Sequence, residues 1–412
     1  MTSTELPPDF ARLDLPEPLE RAILDLGFSS CTPVQNAVLP YSLDGRDIIA
    51  QAQTGTGKTA AFLISIITYD LENPAYEDRE PGTPFALIIA PTRELVMQIT
   101  RDAEALAKYT DMQISSVVGG MDYDKQKKQL QKPVDIVVAT PGRLLDFARS
   151  GVINLSQVEI LVIDEADRML SMGFIPDVKA IVSRTPRKQS RQTQLFSATY
   201  SDDIKRLAAS WTLDPEHIEI EPDQVAVDTV DQKVFLTSEE EKYKVLYNII
   251  KHYQIDRALV FVNRRDQARD LEYKLDHHGF KTGLLAGDVP QKKRIKTLEE
   301  FRSGELNILV ATDVAGRGLH IDDISHVINY NLPEDPEDYV HRIGRTGRAG
   351  TEGISITLAC ENDAFMLPNI EALLGVPMPC ENPIEELTAD IPTMPRGAPR
   401  RPAAKPRSRN RR

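Results

Sequence analysis

Short β-branched runs alternate with longer helix-period stretches through most of this chain, and the clearest runs close in compact polar motifs. That alternation is the signature of βαβ units, whose strands lie parallel in a sheet covered by helices on both faces. In the first half the runs are 86–90, 135–139, 159–163 and 194–197. They close in Pro91-Thr92-Arg93-Glu94-Leu95, Thr140-Pro141-Gly142-Arg143, Asp164-Glu165-Ala166-Asp167 and Ser197-Ala198-Thr199. Ligands of open α/β sheets sit beyond the carboxyl ends of the strands, so these motifs are expected to share one edge. The pattern restarts at 257–262, 282–285, 307–311, 326–330 and 353–358. The acidic, weakly periodic stretch 221–230 reads as a linker. The predicted architecture is therefore α/β with parallel sheets: a first domain over 1–220, the linker 221–230, and a second domain over 231–376. From 377 to 412 the Pro/Arg-rich composition cannot bury enough apolar surface to offset its ordering entropy, and a disordered basic tail is expected.

Two of the polar segments carry a specific chemistry together. The loop Ala52-Gln53-Thr54-Gly55-Thr56-Gly57-Lys58-Thr59 precedes an apolar helix pattern. Its glycines let backbone N–H groups turn toward phosphate oxygens, Lys58 can reach the β/γ-phosphates, and Thr59 can bind Mg²⁺ directly. A bare glycine-rich helix cap is the bland alternative, but it explains neither the Gly-Lys-Thr run nor the acidic strand end about a hundred residues later. Asp164, at that strand end, suits Mg²⁺ through water, and Glu165 is placed to orient or deprotonate an attacking water. An acidic helix N-terminus facing the dipole would account for two acids but not for their position after a buried strand. Together the pair describes a nucleoside-triphosphatase that works with Mg²⁺.

In the second half, His341-Arg342-Ile343-Gly344-Arg345-Thr346-Gly347-Arg348 places three arginines within seven residues. Such a cluster can stabilise charge on a transferring phosphoryl group; a solvated basic turn is the alternative. Gln35, after Cys31-Thr32-Pro33-Val34, carries an amide that donates and accepts at once, which suits the adenine edge. Phe10, seventeen residues before Gly27, could stack on the ring, although a lone phenylalanine is usually core.

Charge sharpens the choice of partner. The net charge of −13 by itself argues against a general nucleic-acid binder. Residues 396–412, however, hold seven arginines and Lys405 with no acid, a charge of +8, so the rest of the chain carries −21. An acidic body with a basic tail can bind RNA where a local groove is basic. Three cysteines without metal-ligand spacing read as reduced thiols, and the N-terminus lacks the pattern of a signal peptide. With no apolar stretch near the roughly 18 residues of a membrane span, a cytoplasmic location is expected.

With these motifs in this order, the chain resembles DEAD-box RNA helicases of superfamily 2 over roughly residues 10–375. The resemblance implies two tandem RecA-like domains, ATP hydrolysis in the presence of RNA, and local separation of short duplexes. Carried over, Phe10, Gln35, Gln53, Thr54, Gly55, Thr56, Gly57, Lys58 and Thr59 would bind ATP. Thr59 and Asp164 would serve Mg²⁺, and Lys58, Asp164, Glu165, Arg345 and Arg348 would be catalytic. Asp167, Ser197, Thr199 and His341 would couple nucleotide state to strand separation. RNA would meet Thr92, Arg93, Gly120, Thr140 and Arg143 in the first domain, and Arg264, Gly287, Arg294 and Thr312 in the second. Glycines and hydroxyls there permit close approach to a phosphate–sugar backbone without reading base identity. Met121-Asp122-Tyr123-Asp124-Lys125-Gln126, Gly287-Asp288-Val289-Pro290, Gly318-Leu319-His320-Ile321 and Leu358-Ala359-Cys360-Glu361 resemble the RhlB branch of that family. That branch assists bacterial mRNA degradation by docking on ribonuclease E in the degradosome, so the same partner is expected here. His320 departs from the aspartate that most members use on the ATP ribose, and Gly316 stands where Ala or Ser is usual. Two rival functions are an RNA clamp whose hydrolysis times release, and a DNA translocase.

Overall fold

A computed structural model describes residues 6–53, 55–74, 80–220, 230–316, 324–347 and 353–393. The chain divides into two compact units, the first up to Val230 and the second from Asp231. Each is built on one seven-stranded sheet.

In the first unit the strands are β1 (Ile48–Gln51), β2 (Ala86–Ile89), β3 (Ile114–Val117), β4 (Ile136–Ala139), β5 (Ile160–Ile163), β6 (Gln192–Ser197) and β7 (Glu216–Glu219). Their spatial order is β3-β4-β2-β5-β6-β1-β7, with parallel pairing throughout. The β2, β4 and β5 runs are buried at every position because helices cover both faces. One hydrophobic cluster, including Val38, Phe62, Ile66, Ile99 and Phe196, fills one side. The other, including Leu144, Phe147, Ile181, Leu195 and Trp211, fills the opposite side.

The second unit repeats the plan with β8 (Val230–Leu236), β9 (Ala258–Phe261), β10 (Thr282–Leu285), β11 (Ile308–Ala311), β12 (His326–Asn329), β13 (Gly353–Ala359) and β14 (Cys380–Glu381). Their order is β10-β11-β9-β12-β13-β8-β14. A buried ion pair stands beside this sheet: Lys242 Nζ lies 2.7 Å from Asp363 Oδ2, and Asp363 also accepts from the Cys360 and Leu332 N–H groups.

The expected tail from residue 377 starts too early. Residues 377–393 are structured against the second unit: β14 pairs with β8, matching Cys380 to Val234 and Glu381 to Phe235. The following turn of helix, Glu385–Thr388, buries Leu387 completely against the helix Lys242–His252. Asn248 Nδ2 donates to the carbonyls of Leu387 and Ala389, at 3.1 and 2.8 Å. Met378 and Leu387 thus supply the apolar burial that composition alone did not register, being two residues set among prolines and acids. Residues 394–412, with the whole basic run 396–412, lie outside the described residues. The three cysteines are free. Among the described residues no helix is long and apolar enough to cross a membrane.

Candidate functional site

β1 leads directly into the phosphate-loop segment, and the helix Lys58–Glu72 follows. Gly55 and Gly57 adopt left-handed φ values of 89° and 95°. At Gly57 the need for glycine is double, since a Cβ would stand 2.6 Å from Gln35 Nε2 and 2.7 Å from Thr32 Oγ1. Lys58 is buried and donates to the Ala52 carbonyl at 2.7 Å, so its ammonium lies folded back over the loop. Thr56 Oγ1 donates to the Gln53 carbonyl at 2.8 Å, and Thr59 sits in the helix's first turn, where backbone N–H groups favour an anion. Thr54 lies outside the described residues. Gly57→Ala is expected to cost about 1–2 kcal/mol from its backbone conformation alone and to abolish nucleotide-induced stabilisation, which a thermal melt with and without ATP would read.

Gln35 uses both ends of its amide within the protein. Its Nε2 donates to the Gly57 carbonyl at 3.1 Å, and its Oε1 accepts from the Thr32 N–H at 2.9 Å. Thr32 caps the helix Pro33–Leu43 reciprocally, so this segment is fixed to the phosphate loop. One amide hydrogen and one lone pair of Gln35 are left over for an adenine edge. Thr32 is a positioning residue that the sequence reading did not single out. Phe10 corrects the expectation placed on it: the ring is fully buried and tilted against Phe28 at a centroid distance of 5.9 Å. It is a core residue and offers no open face for stacking.

The acidic motif begins where β5 ends. Asp164 is 2% exposed, and its Oδ1 accepts from the Glu165 N–H at 2.9 Å. Burial is the main force raising the Asp164 carboxyl to about 6, with the Glu165 and Asp167 carboxylates adding to it and the Lys58 ammonium opposing it. Glu165 has φ 54°, a left-handed conformation that costs a non-glycine residue roughly 1–2 kcal/mol. Such strain concentrates at functional positions. Its carboxylate lies 3.4 Å from Arg168 Nη1, and both side chains are buried. Arg168, absent from the sequence-based set, holds that carboxylate; only its i,i+3 spacing within a short helix could have pointed to it.

Asp167 closes the network. Its Oδ2 accepts from the N–H groups of Ala198 and Thr199, each at 3.2 Å, while its own N–H donates to Ser197 Oγ at 3.2 Å. The Ala52 N–H in turn donates to the Ser197 carbonyl at 2.9 Å. Phosphate loop, acidic motif and the Ser197–Thr199 turn are therefore one hydrogen-bonded body, set on adjacent strands β5, β6 and β1.

The expected RNA residues occupy the rest of the same edge, beyond β3, β4 and β2. Thr92 caps the helix Arg93–Leu106 by accepting from the Leu95 N–H, and Thr140 stands at the N-cap position of Pro141–Arg149 without a side-chain capping bond. Arg93 packs its guanidinium on Gly120, where φ is 75° and a Cβ would collide with it. Arg143 lies over the rings of Tyr123 and Phe147. In the second unit, Arg264, Gly287 and Thr312 follow β9, β10 and β11, three neighbouring strands in the equivalent section of the sheet. Arg264 is exposed and pairs with Asp266 at 2.7 Å; Arg294 is buried and donates to the Ala315 carbonyl at 3.2 Å.

The arginine cluster divides. Arg342 is 1% exposed and forks onto Asp313 at 2.6 and 2.7 Å. It also donates to Asn263 Oδ1 at 2.8 Å and to the Asn331 carbonyl at 2.6 Å, so it is structural and is corrected out of the phosphate-facing cluster. Arg345 is buried as well, and Arg348 lies outside the described residues. His341 lies 3.7 Å from Asp338 in its own helix.

Comparison with known proteins gives this arrangement its class. The DEAD/DEAH box helicase family model matches residues 32–207, and the helicase conserved C-terminal domain matches 241–350. The chain belongs to the DEAD-box helicase family. It is 57% identical to the ATP-dependent RNA helicase RhlB of Pseudomonas putida over 93% of this chain and 96% of that protein. Against the RhlB of Pseudomonas aeruginosa it is 58% identical over 93% and 97%. Among solved structures, yeast (S. cerevisiae) Dbp5 bound to RNA and ADP BeF3 superposes with a TM-score of 0.80 at 30% identity, covering 91% of this chain and 95% of that one. Both sheets are thus those of tandem RecA-like domains, and the protein is an ATP-hydrolysing RNA helicase of the RhlB kind.

Proposed function

We propose that this chain couples RNA-stimulated ATP hydrolysis to local duplex unwinding or RNP remodelling in support of bacterial mRNA degradation in the cytoplasm. The observation that carries the coupling is the hydrogen-bonded body joining Ala52, Asp167, Ser197 and Thr199, on the edge that also carries Thr92, Arg93, Gly120, Thr140 and Arg143. A change at the phosphate loop reaches the Ser197–Thr199 turn through one residue. In this reading the loop 52–59 binds the triphosphate, Gln35 reads adenine, and Glu165 accepts a proton from the attacking water. Arg345 and Arg348 supply positive charge to the phosphoryl group, His341 takes part in coupling, and Arg264, Gly287, Arg294 and Thr312 hold RNA.

The donor set fits Mg²⁺. Asp164 and Thr59 offer oxygen ligands, and among the described residues no group of three or more His, Cys, Asp or Glu could cage a metal unaided. A hard cation held by one carboxylate, a hydroxyl, waters and nucleotide phosphates matches that supply. Bound there, Mg²⁺ would neutralise charge developing on the phosphates.

Ribonuclease E, in a degradosome-like complex, is the proposed protein partner, supported by the resemblance to RhlB. Titrating the purified chain with ribonuclease E by calorimetry tests this, and absence of heat at micromolar concentrations contradicts it. The basic tail is a proposed nonspecific RNA anchor. Deleting 396–412 is expected to weaken RNA binding at low salt and to flatten its salt dependence; unaltered affinity would remove the anchor.

A further inference from the structure

The segment after Gly120 is not used by the proposed helicase cycle, yet it is a basic short helix beside the RNA-facing edge. Residues 121–132 hold four lysines against two aspartates, on a body that is otherwise strongly acidic. The helix Tyr123–Gln129 is fixed rigidly. Gln126 is buried and reads one backbone unit at both ends: its Oε1 accepts from the Val118 N–H at 2.8 Å, and its Nε2 donates to the Val118 carbonyl at 3.1 Å. Asp122 caps the helix by accepting from the Lys125 N–H. The helix is therefore locked to the strand exit that leads into Gly119-Gly120.

Tyr123 is 37% exposed, and so is Met121 beside it. The Tyr123 ring meets Phe147 edge-on, with centroids 4.9 Å apart and planes at 79°. The Arg143 guanidinium lies 5.1 Å from the Tyr123 centroid, and its Nη1 is buried with no hydrogen-bond partner among the described residues. An aromatic ring met edge-on by Phe147, with a cation over it and part of its surface left to water, can serve as a stacking platform. Lys127 follows Tyr123 by four residues, one helical turn along the same stripe, and is exposed. Asp124 precedes Lys127 by three residues and Lys128 by four, so its single charge is shared between two lysines.

We propose that this helix is a base-stacking contact for single-stranded RNA, with Tyr123 taking a base on its open ring surface and Lys127 the adjacent phosphate. The proposal rests on the RNA-binding reading above and adds to it a contact with a base rather than with the backbone. Exposed lysines beside an aromatic ring favour nucleic acid over an apolar protein partner.

The test uses the full chain and two strands of equal length, an oligo-uridine RNA and the same backbone made abasic, followed by fluorescence anisotropy at several salt concentrations. Y123L, which keeps the packing against Phe147, is expected to weaken oligo-uridine binding by about fivefold or more, whereas Y123F retains it. On the abasic strand Y123L and the native chain should bind alike. K127Q should reduce the salt slope by about 0.7 on either strand. Unchanged uridine affinity in a folded Y123L, or an equal loss on the abasic strand, overturns the stacking contact. An unchanged slope in K127Q overturns the phosphate contact even if Y123L fails to fold. A native chain that binds neither strand would overturn the RNA reading itself, which separates that failure from this one.

Discussion

Replacing Glu165 with glutamine is expected to lower RNA-stimulated ATP turnover by about 10²–10⁴-fold while leaving nucleotide and RNA binding intact. The substitution keeps side-chain volume and replaces a carboxylate oxygen able to take a proton with an amide that cannot. Glu165 is held for that task at three levels: a left-handed backbone, burial to 3% exposure, and the Arg168 guanidinium 3.4 Å away. Strain maintained by the surrounding structure at a strand end is a reason to assign function to this residue rather than to its neighbours. Glutamine weakens the pairing with Arg168, so a modest fall in thermal stability should accompany the loss. Steady-state ATPase beside a nucleotide-binding titration checks it. Loss of binding as large as the loss of turnover would mean that Glu165 shapes the pocket instead of acting on water.

Arg342→Leu is expected to destabilise the second unit by about 3–5 kcal/mol, because it removes a buried guanidinium and leaves the partly buried Asp313 carboxylate and the buried Asn329 and Asn331 acceptors without it. Asp313 has its bidentate partner in Arg342, and Asn263, Asn329 and the Asn331 carbonyl complete a fan of acceptors around the one guanidinium. Those acceptors lie at the ends of β9, β11 and β12, so one side chain fastens three strand exits. Lysine should not rescue it, since an ammonium cannot reproduce the planar fork. The chain has two units, so the second unit's own transition is the quantity to follow. Calorimetry should show that transition moving down by roughly 10 °C or more. An Arg342 variant that melts normally but fails to hydrolyse ATP would return Arg342 to the phosphate-facing group.

Arg342 also shows where the sequence stopped being readable. In the run from His341 to Arg348 it looks no different from Arg345, because a sequence records charge and not which acceptors surround it. What was readable were the strands buried on both faces. β2, β4, β5, β9 and β11 need continuous apolar runs, and the motifs after β2, β4 and β5 share the carboxyl edge as expected. Five strands were not picked out: β1 despite its buried Ile48, Ile49 and Ala50, β8 with only three of seven positions buried, and β3, β7 and β14, which lack that signal. β3 carries two serines and is only half-buried, β7 is a mixed edge strand, and β14 is two residues whose pairing is set by tertiary context. The same limit hid the Gln35–Gly57 contact across 22 residues of sequence and the burial of Phe10. Glycine and lysine positions in the phosphate loop were legible because the chemistry dictates them locally, whereas the positioning residues Thr32, Gln126 and Arg168 act through folded neighbours.

The most direct test of the central claim is steady-state ATPase with no nucleic acid, with single-stranded RNA, and with DNA of matched sequence. The account predicts stimulation by RNA well above that by DNA, abolished in Glu165→Gln. Equal stimulation by DNA would contradict it in favour of a translocase, and stimulation by neither would contradict RNA-coupled hydrolysis by this chain.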